Sequence, residues 1–118
     1  MCSKAMELLQ EIKLRNKHLV YTDGHDFRVV SVKEQGVEHT RVIPSENIER
    51  LAELSHGKTL TPPQATMLFG AYCSDLDLPY TFGHQLKYYV QDMLLVLVAT
   101  ERAKMSKEGR GYVYHIGI

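Results

Sequence analysis

The sequence predicts a single α+β domain, and three observations predict it. Residues 18–43 hold three short β-rich runs, HLVYT, FRVVSV and VEHTRVI, separated by the turn signals DGHD and KEQG. From residue 45 onward apolar residues recur at helical spacing, with proline and glycine at the expected helix ends. Near residue 95 that spacing gives way to strand-like alternation, which continues past the basic turn MSKEGR to Ile116. A length of 118 residues suits one domain with a real core. Residues 1–44 read as a helix plus a meander, and 45–118 as three helices and a hairpin.

The first expected element is a helix over 4–15, KAMELLQEIKLR, with Ala5, Leu8, Leu9 and Ile12 on one side and Ser3 as its N-cap. Lys13, Arg15 and Lys17 then crowd its far end, where the helix dipole favours cations. The runs over 18–43 predict a three-stranded antiparallel meander. Asp23-Gly24 and Gly36 supply the positive φ of its turns. Pro44 stops it, because proline has no N–H to give a ladder.

Ser45 is the expected cap of the next helix, which sets Ile48, Leu51, Ala52 and Ser55 on one face and ends at His56-Gly57. Thr61 and Pro62-Pro63 open another, burying Ala65, Leu68, Phe69 and Tyr72. Thr81 caps a third over 82–93, where Phe82, Leu86, Tyr89, Val90 and Met93 form a narrow apolar stripe. Leu95–Lys104 is then expected to pair with Gly111–Ile116.

Composition excludes several classes. Hydrophobic residues at 44% and charged residues at 24% describe an ordinary globular chain. The longest apolar run, MLLVLVA at 93–99, is too short to span a bilayer. Cys2 and Cys73 have no metal-ligand spacing and suggest free thiols in the cytosol. There is no phosphate-binding glycine loop, GxSxG or HExxH, so no enzyme activity and no cofactor are expected. His18, Asp23, His25, Asp26 and His39 share the meander, but their spacing matches no ligand motif and no metal is expected there. Asp75 and Asp77 beside Cys73 argue against a nucleophilic thiolate.

The strongest functional pattern lies in the last third. The loop DLDLPYT leads into FGHQLKYYVQDM, and LVLVATERAKMSKEGRGYVYHI follows. With the two preceding helices, these stretches resemble the winged helix-turn-helix superfamily of small bacterial and archaeal regulators. The resemblance covers about the C-terminal two thirds. It departs from the usual pattern where MLLVLV replaces a Gly-Leu turn between the third helix and the wing.

The resemblance implies a transcriptional regulator that binds double-stranded DNA, with 82–93 as recognition helix and 102–111 as wing. An α-helix fits the major groove and reads base edges with its outward side chains. His84, Gln85, Lys87, Tyr88 and Gln91 form the polar face, uninterrupted by an acid until Asp92. Arg102, Lys104, Lys107 and Arg110 supply the wing's cations, offset by Glu101 and Glu108. A homodimer is expected, since two half-sites multiply affinity. The plain alternative is that the helix face is only solvated and that the tip cations only discourage edge pairing. A formal net charge of zero keeps a non-enzymatic protein-interaction module on the same fold as the second reading.

Overall fold

The computed structural model describes residues 6–36, 38–75 and 85–117. It opens with four strands, β1 (Glu7–Lys13), β2 (Lys17–Thr22), β3 (Phe27–Val32) and β4 (Glu38–Ile43). They form one antiparallel sheet in that order. The expected N-terminal helix is therefore a strand, and the meander has four strands rather than three. The cause is a β-bulge. Leu8 faces Tyr21 and Gln10 faces Val20, so Leu9 has no partner. The extra residue breaks the alternation that marks a strand and leaves spacing that imitates a helix. Glu, Leu, Gln and Lys also favour helices in isolation, and strand pairing overrides that weak preference.

Helix α1 (Ser45–Ser55), the short strand β5 (Thr59–Leu60) and helix α2 (Pro62–Asp75) follow. Pro44, extended at φ −62 and ψ 144, occupies the N-cap of α1, so Ser45 lies inside the helix rather than capping it. Gly57, at φ 75, turns the chain out of α1. A capping box opens α2: the Thr61 N–H donates to Gln64 Oε1 at 2.9 Å and the Gln64 N–H to Thr61 Oγ1 at 3.4 Å. Thr81, Phe82 and His84 lie outside the described residues.

Helix α3 runs over Leu86–Ala99, and strands β6 (Ala103–Glu108) and β7 (Gly111–Ile116) close the described fold. The expected strand over 95–104 is thus mostly helix. Residues 93–97 are buried throughout. The helix packs on all four strands of the first sheet and on α1, α2 and β6. A helix enclosed in this way is apolar on every side, so its composition carries no amphipathic period. Its end is a Schellman turn. Glu101 adopts φ 61, its N–H donates to Val98 O at 3.1 Å, and the Arg102 N–H donates to Leu97 O at 2.8 Å.

Strands β6 and β7 pair with each other, and β7 also pairs with β5, giving a second sheet of order β5-β7-β6. The core joins both sheets through α3. Val20, Val29 and Ile43 come from the first sheet, Ile48, Leu51 and Phe69 from α1 and α2, and Tyr114 and Ile116 from β7. Gly70 lets α2 approach the start of α3, because a Cβ there would stand 3.1 Å from the Leu86 side chain. Among the described residues no helix is long and apolar enough to cross a membrane.

Candidate nucleic-acid interface

Burial divides α3 into two parts. Its second half is enclosed, while Lys87 and Tyr88 in the first turns face solvent and Gln91 is half-buried. Gln85 is exposed immediately before the helix. The Lys87 ammonium lies 4.9 Å from the Tyr88 ring centroid, so these neighbours form one cationic-aromatic patch. Asp92 is absent from that patch. It is buried and accepts a hydrogen bond from Arg41 Nη1 on β4. Burial pushes the Asp92 carboxyl above its ordinary value, while the Arg41 guanidinium pulls the other way.

The β6–β7 register sorts the expected wing cations. Lys107 stands opposite Tyr112, and Lys104 opposite His115. Directly paired residues share a face, and faces alternate along each strand. Lys107 therefore sits on the face that carries Tyr112 and the buried Tyr114. Lys104 sits on the other face, beside a hydrogen-bonded row in which His115 meets Thr59 Oγ1 at 2.9 Å and Ser106 Oγ at 3.1 Å. Arg110 is exposed at the tip, next to Gly109 at φ 63.

Arg102 does not join the tip. Its guanidinium makes two hydrogen bonds of 2.8 Å to the Glu49 carboxylate on α1, at the far end of the hairpin. That bidentate contact holds Glu49 below its ordinary pKa. The expected set thus separates. Gln85, Lys87, Tyr88, Gln91, Lys107 and Arg110 belong to the α3 start and the hairpin tip. Lys104 and Arg102 point elsewhere.

One cleft ties the two elements together. It is lined by Gln91 of α3, by Glu108, Gly111 and Tyr112 of the hairpin, by Pro62 and Pro63 of α2, and by Leu14. Leu14 lies in the β1–β2 turn, so a third element reaches the cleft that sequence reasoning had placed at a helix end. A signal was available: Asn16 is a turn residue, and only Lys17 separates it from the β-rich run HLVYT.

Two of the three meander histidines, His18 and His25, meet local partners. His18 is buried, and its Nδ1 lies 2.8 Å from Ser31 Oγ. His25 Nδ1 lies 2.8 Å from Asp26 Oδ1. Asp23 Oδ1 accepts the N–H groups of His25 and Asp26, both at 2.8 Å, which lowers its pKa and fixes the turn. No group of three metal-ligating side chains occurs among the described residues. Cys73 is buried, and burial raises its thiol pKa. Comparison of the chain with protein-family models, with curated proteins and with solved structures finds no match.

Proposed function

We propose that this protein is a DNA-binding transcriptional regulator. The first turns of α3 face the major groove and the β6–β7 tip rests on the backbone. The observation that carries this reading is the shared cleft: Gln91 and the hairpin residues Glu108, Gly111 and Tyr112 line it together. One approaching duplex can therefore meet both elements. The order from α1 to β7, three helices and then a hairpin with a basic tip, supports the likeness drawn from the sequence. The side chains suit the task. Gln85 and Gln91 can pair with adenine, Lys87 with guanine acceptors or a phosphate, and Lys107 and Arg110 with phosphates.

A second reading, a protein-interaction module, is favoured by the outer face of the first sheet. Leu8 is 50% and Val42 53% exposed there, on strands at opposite edges of the sheet.

Binding of mixed-sequence duplex DNA at two salt concentrations separates the two. On the DNA reading, binding falls steeply with salt. Arg110→Ala weakens all sequences about equally and lowers the salt slope by roughly one unit. Gln91→Ala weakens only a preferred site, by roughly 1–3 kcal/mol. Arg102→Ala leaves binding as in the parent, because its partner is Glu49. Absence of binding at low salt gives first place to the interaction module.

A further inference from the structure

We propose that a second copy of this chain packs on the outer face of the first sheet, about a two-fold axis that runs along the strands between β2 and β3. The inference does not depend on the DNA reading. Helix α3 packs on the other face of the sheet, so such a dimer leaves it as it stands.

The register defines the face. Directly paired residues share a face, and faces alternate along each strand. Ile12, Val20, Val29 and Ile43 are buried on the side of α3, so the rows between them point outward. An antiparallel sheet with one solvated face is expected to be polar there. Here half of the outward positions are apolar. Leu8 and Val42, at opposite edges, are 50% and 53% exposed.

The arrangement of these rows picks the occupant. A two-fold interface sets one patch against itself, so each residue must suit the residue that the axis brings to it. Sheets packed face to face keep their strand directions within about 30°, which lets the rows be matched. An axis along the strands brings β1 over β4 of the second copy and β2 over its β3. The row nearest the β1–β2 turn is Lys13, Lys17, Val32, Glu38. Lys13 then meets Glu38 of the second copy, and Lys17 meets Val32 beside that carboxylate. In the middle row Leu19 meets Val30, flanked by Glu11 against Thr40. In the last row Leu8 meets Val42, and Tyr21 meets the Arg28 guanidinium, a cation–π pair. Every contact occurs twice.

Lys13 and Glu38 are both exposed, and among the described residues neither has an ion-pair partner. Each is therefore available to the other copy. An axis across the strands gives the opposite result. It sets Glu11 against its own copy, Lys13 against Leu8 and Glu38 against Val42, so like charges meet and charges are covered by apolar groups. The match of apolar to apolar and of cation to anion about one axis is the property of a surface that binds itself.

Sedimentation velocity of the full chain over a concentration series, without DNA, tests this. The parent is expected to form a dimer that dissociates on dilution. Val42→Glu and Leu8→Glu change exposed positions and set carboxylates against apolar side chains of the second copy. Each should sediment as a monomer where the parent is dimeric, with circular dichroism checking the fold. Lys13→Glu and Glu38→Lys each turn two attractive contacts into repulsive ones and should weaken association by about tenfold or more. Mixing these two single variants restores association, because each then meets its opposite charge, and the double variant Lys13→Glu/Glu38→Lys regains it alone. A parent that stays monomeric overturns the inference. So does a dimer that Val42→Glu and Leu8→Glu leave intact, since another face then holds it. A mixture that associates no better than its separate components overturns the axis, and the proposed dimer with it.

Discussion

Removing Arg41 tests how the first sheet is joined to α3. The Arg41 side chain is 16% exposed and that of Asp92 7%, so the pair lies almost wholly inside. An exposed ion pair contributes about 0–1 kcal/mol. Breaking a buried one from one side costs about 3–5 kcal/mol, because a carboxylate is left without its counter-charge. Arg41→Met keeps most of the side-chain volume and removes only the charge, so the larger range applies. With an unfolding entropy near 2.1 cal/mol/K per residue, a chain of this length shifts by roughly 4 °C per kcal/mol. The expected fall in Tm is thus about 12–20 °C. The double variant Arg41→Met/Asp92→Leu replaces the pair with apolar contact and regains most of the loss.

The pH dependence provides an internal check. Asp92 already has its pKa raised by burial. Without Arg41 it rises further, so ionisation of Asp92 disfavours the folded state. That penalty is absent below the unfolded carboxylate pKa and grows as pH rises through the folded one. The deficit of Arg41→Met therefore shrinks as pH is lowered toward about 4. Urea denaturation at several pH values measures it. A loss under about 1 kcal/mol, independent of pH, would refute the reasoning, because the carboxylate would then be solvated and the sheet not closed over α3.

His18 is buried and its pKa is lowered from 6.5 by that burial. A base depressed in the folded state contributes stability that is present above its unfolded pKa and is lost as pH falls below it. The parent's stability should therefore decline below about pH 6.5, and His18→Leu should flatten that limb in denaturant titrations. A limb of equal slope in the variant assigns the acid sensitivity to another group. Glu101 holds a left-handed conformation at φ 61 in the turn that ends α3. A residue with a Cβ pays about 1–2 kcal/mol there. Glu101→Gly should raise stability by about 1 kcal/mol, and a thermal melt showing a loss would mean that the Glu101 side chain makes a compensating contact.

The helices α1 and α2 were legible because their signals are local. Pro44, Gly57, and the Thr61-to-Gln64 box mark their ends, and Ile48, Leu51, Ala65 and Phe69 mark their buried faces. The first strand was hidden by a bulge at Leu9, since the paired strand that defines it is a tertiary fact. The length of α3 was hidden for a different reason. A short continuous apolar run fits a buried strand or a buried helix equally well. Only the enclosure of α3 between the first sheet and α1–α2 decides it. The expected interface set names polar residue types but not a place: Gln85, Lys87, Tyr88, Lys104, Lys107 and Arg110 are exposed, whereas Gln91 and Arg102 are half-buried. Lys104 and Lys107 look equivalent along the chain, and the register sends them to opposite faces. Arg102 looks like a wing cation until Glu49 appears beside it.

The same geometry limits what the proposed interface can read. Sheet β1–β4 covers the later turns of α3, so base contacts can come only from the first turns, through Gln85, Lys87, Tyr88 and Gln91. Gln91 is half-buried and lines the cleft together with Leu14 of the β1–β2 turn and Glu108 and Gly111 of the hairpin. A few base contacts and several phosphate contacts imply affinity dominated by counterion release, with sequence preference as a smaller increment. A formal net charge of zero does not oppose this. Counterion release depends on the cations that touch phosphates, and within a Debye length of about 8–10 Å at ordinary salt, distant acids on the chain are largely screened. Asp23, Asp26 and Glu46 belong to the β2–β3 turn and the start of α1, which lie at the other end of the strands from the β1–β2 turn. Acids and bases are mixed along the fold: Glu34 and Glu38 lie at the same end of the first sheet as the β1–β2 turn, and Glu108 lines the cleft itself, so on the proposed reading affinity rests on individual cations such as Lys107 and Arg110.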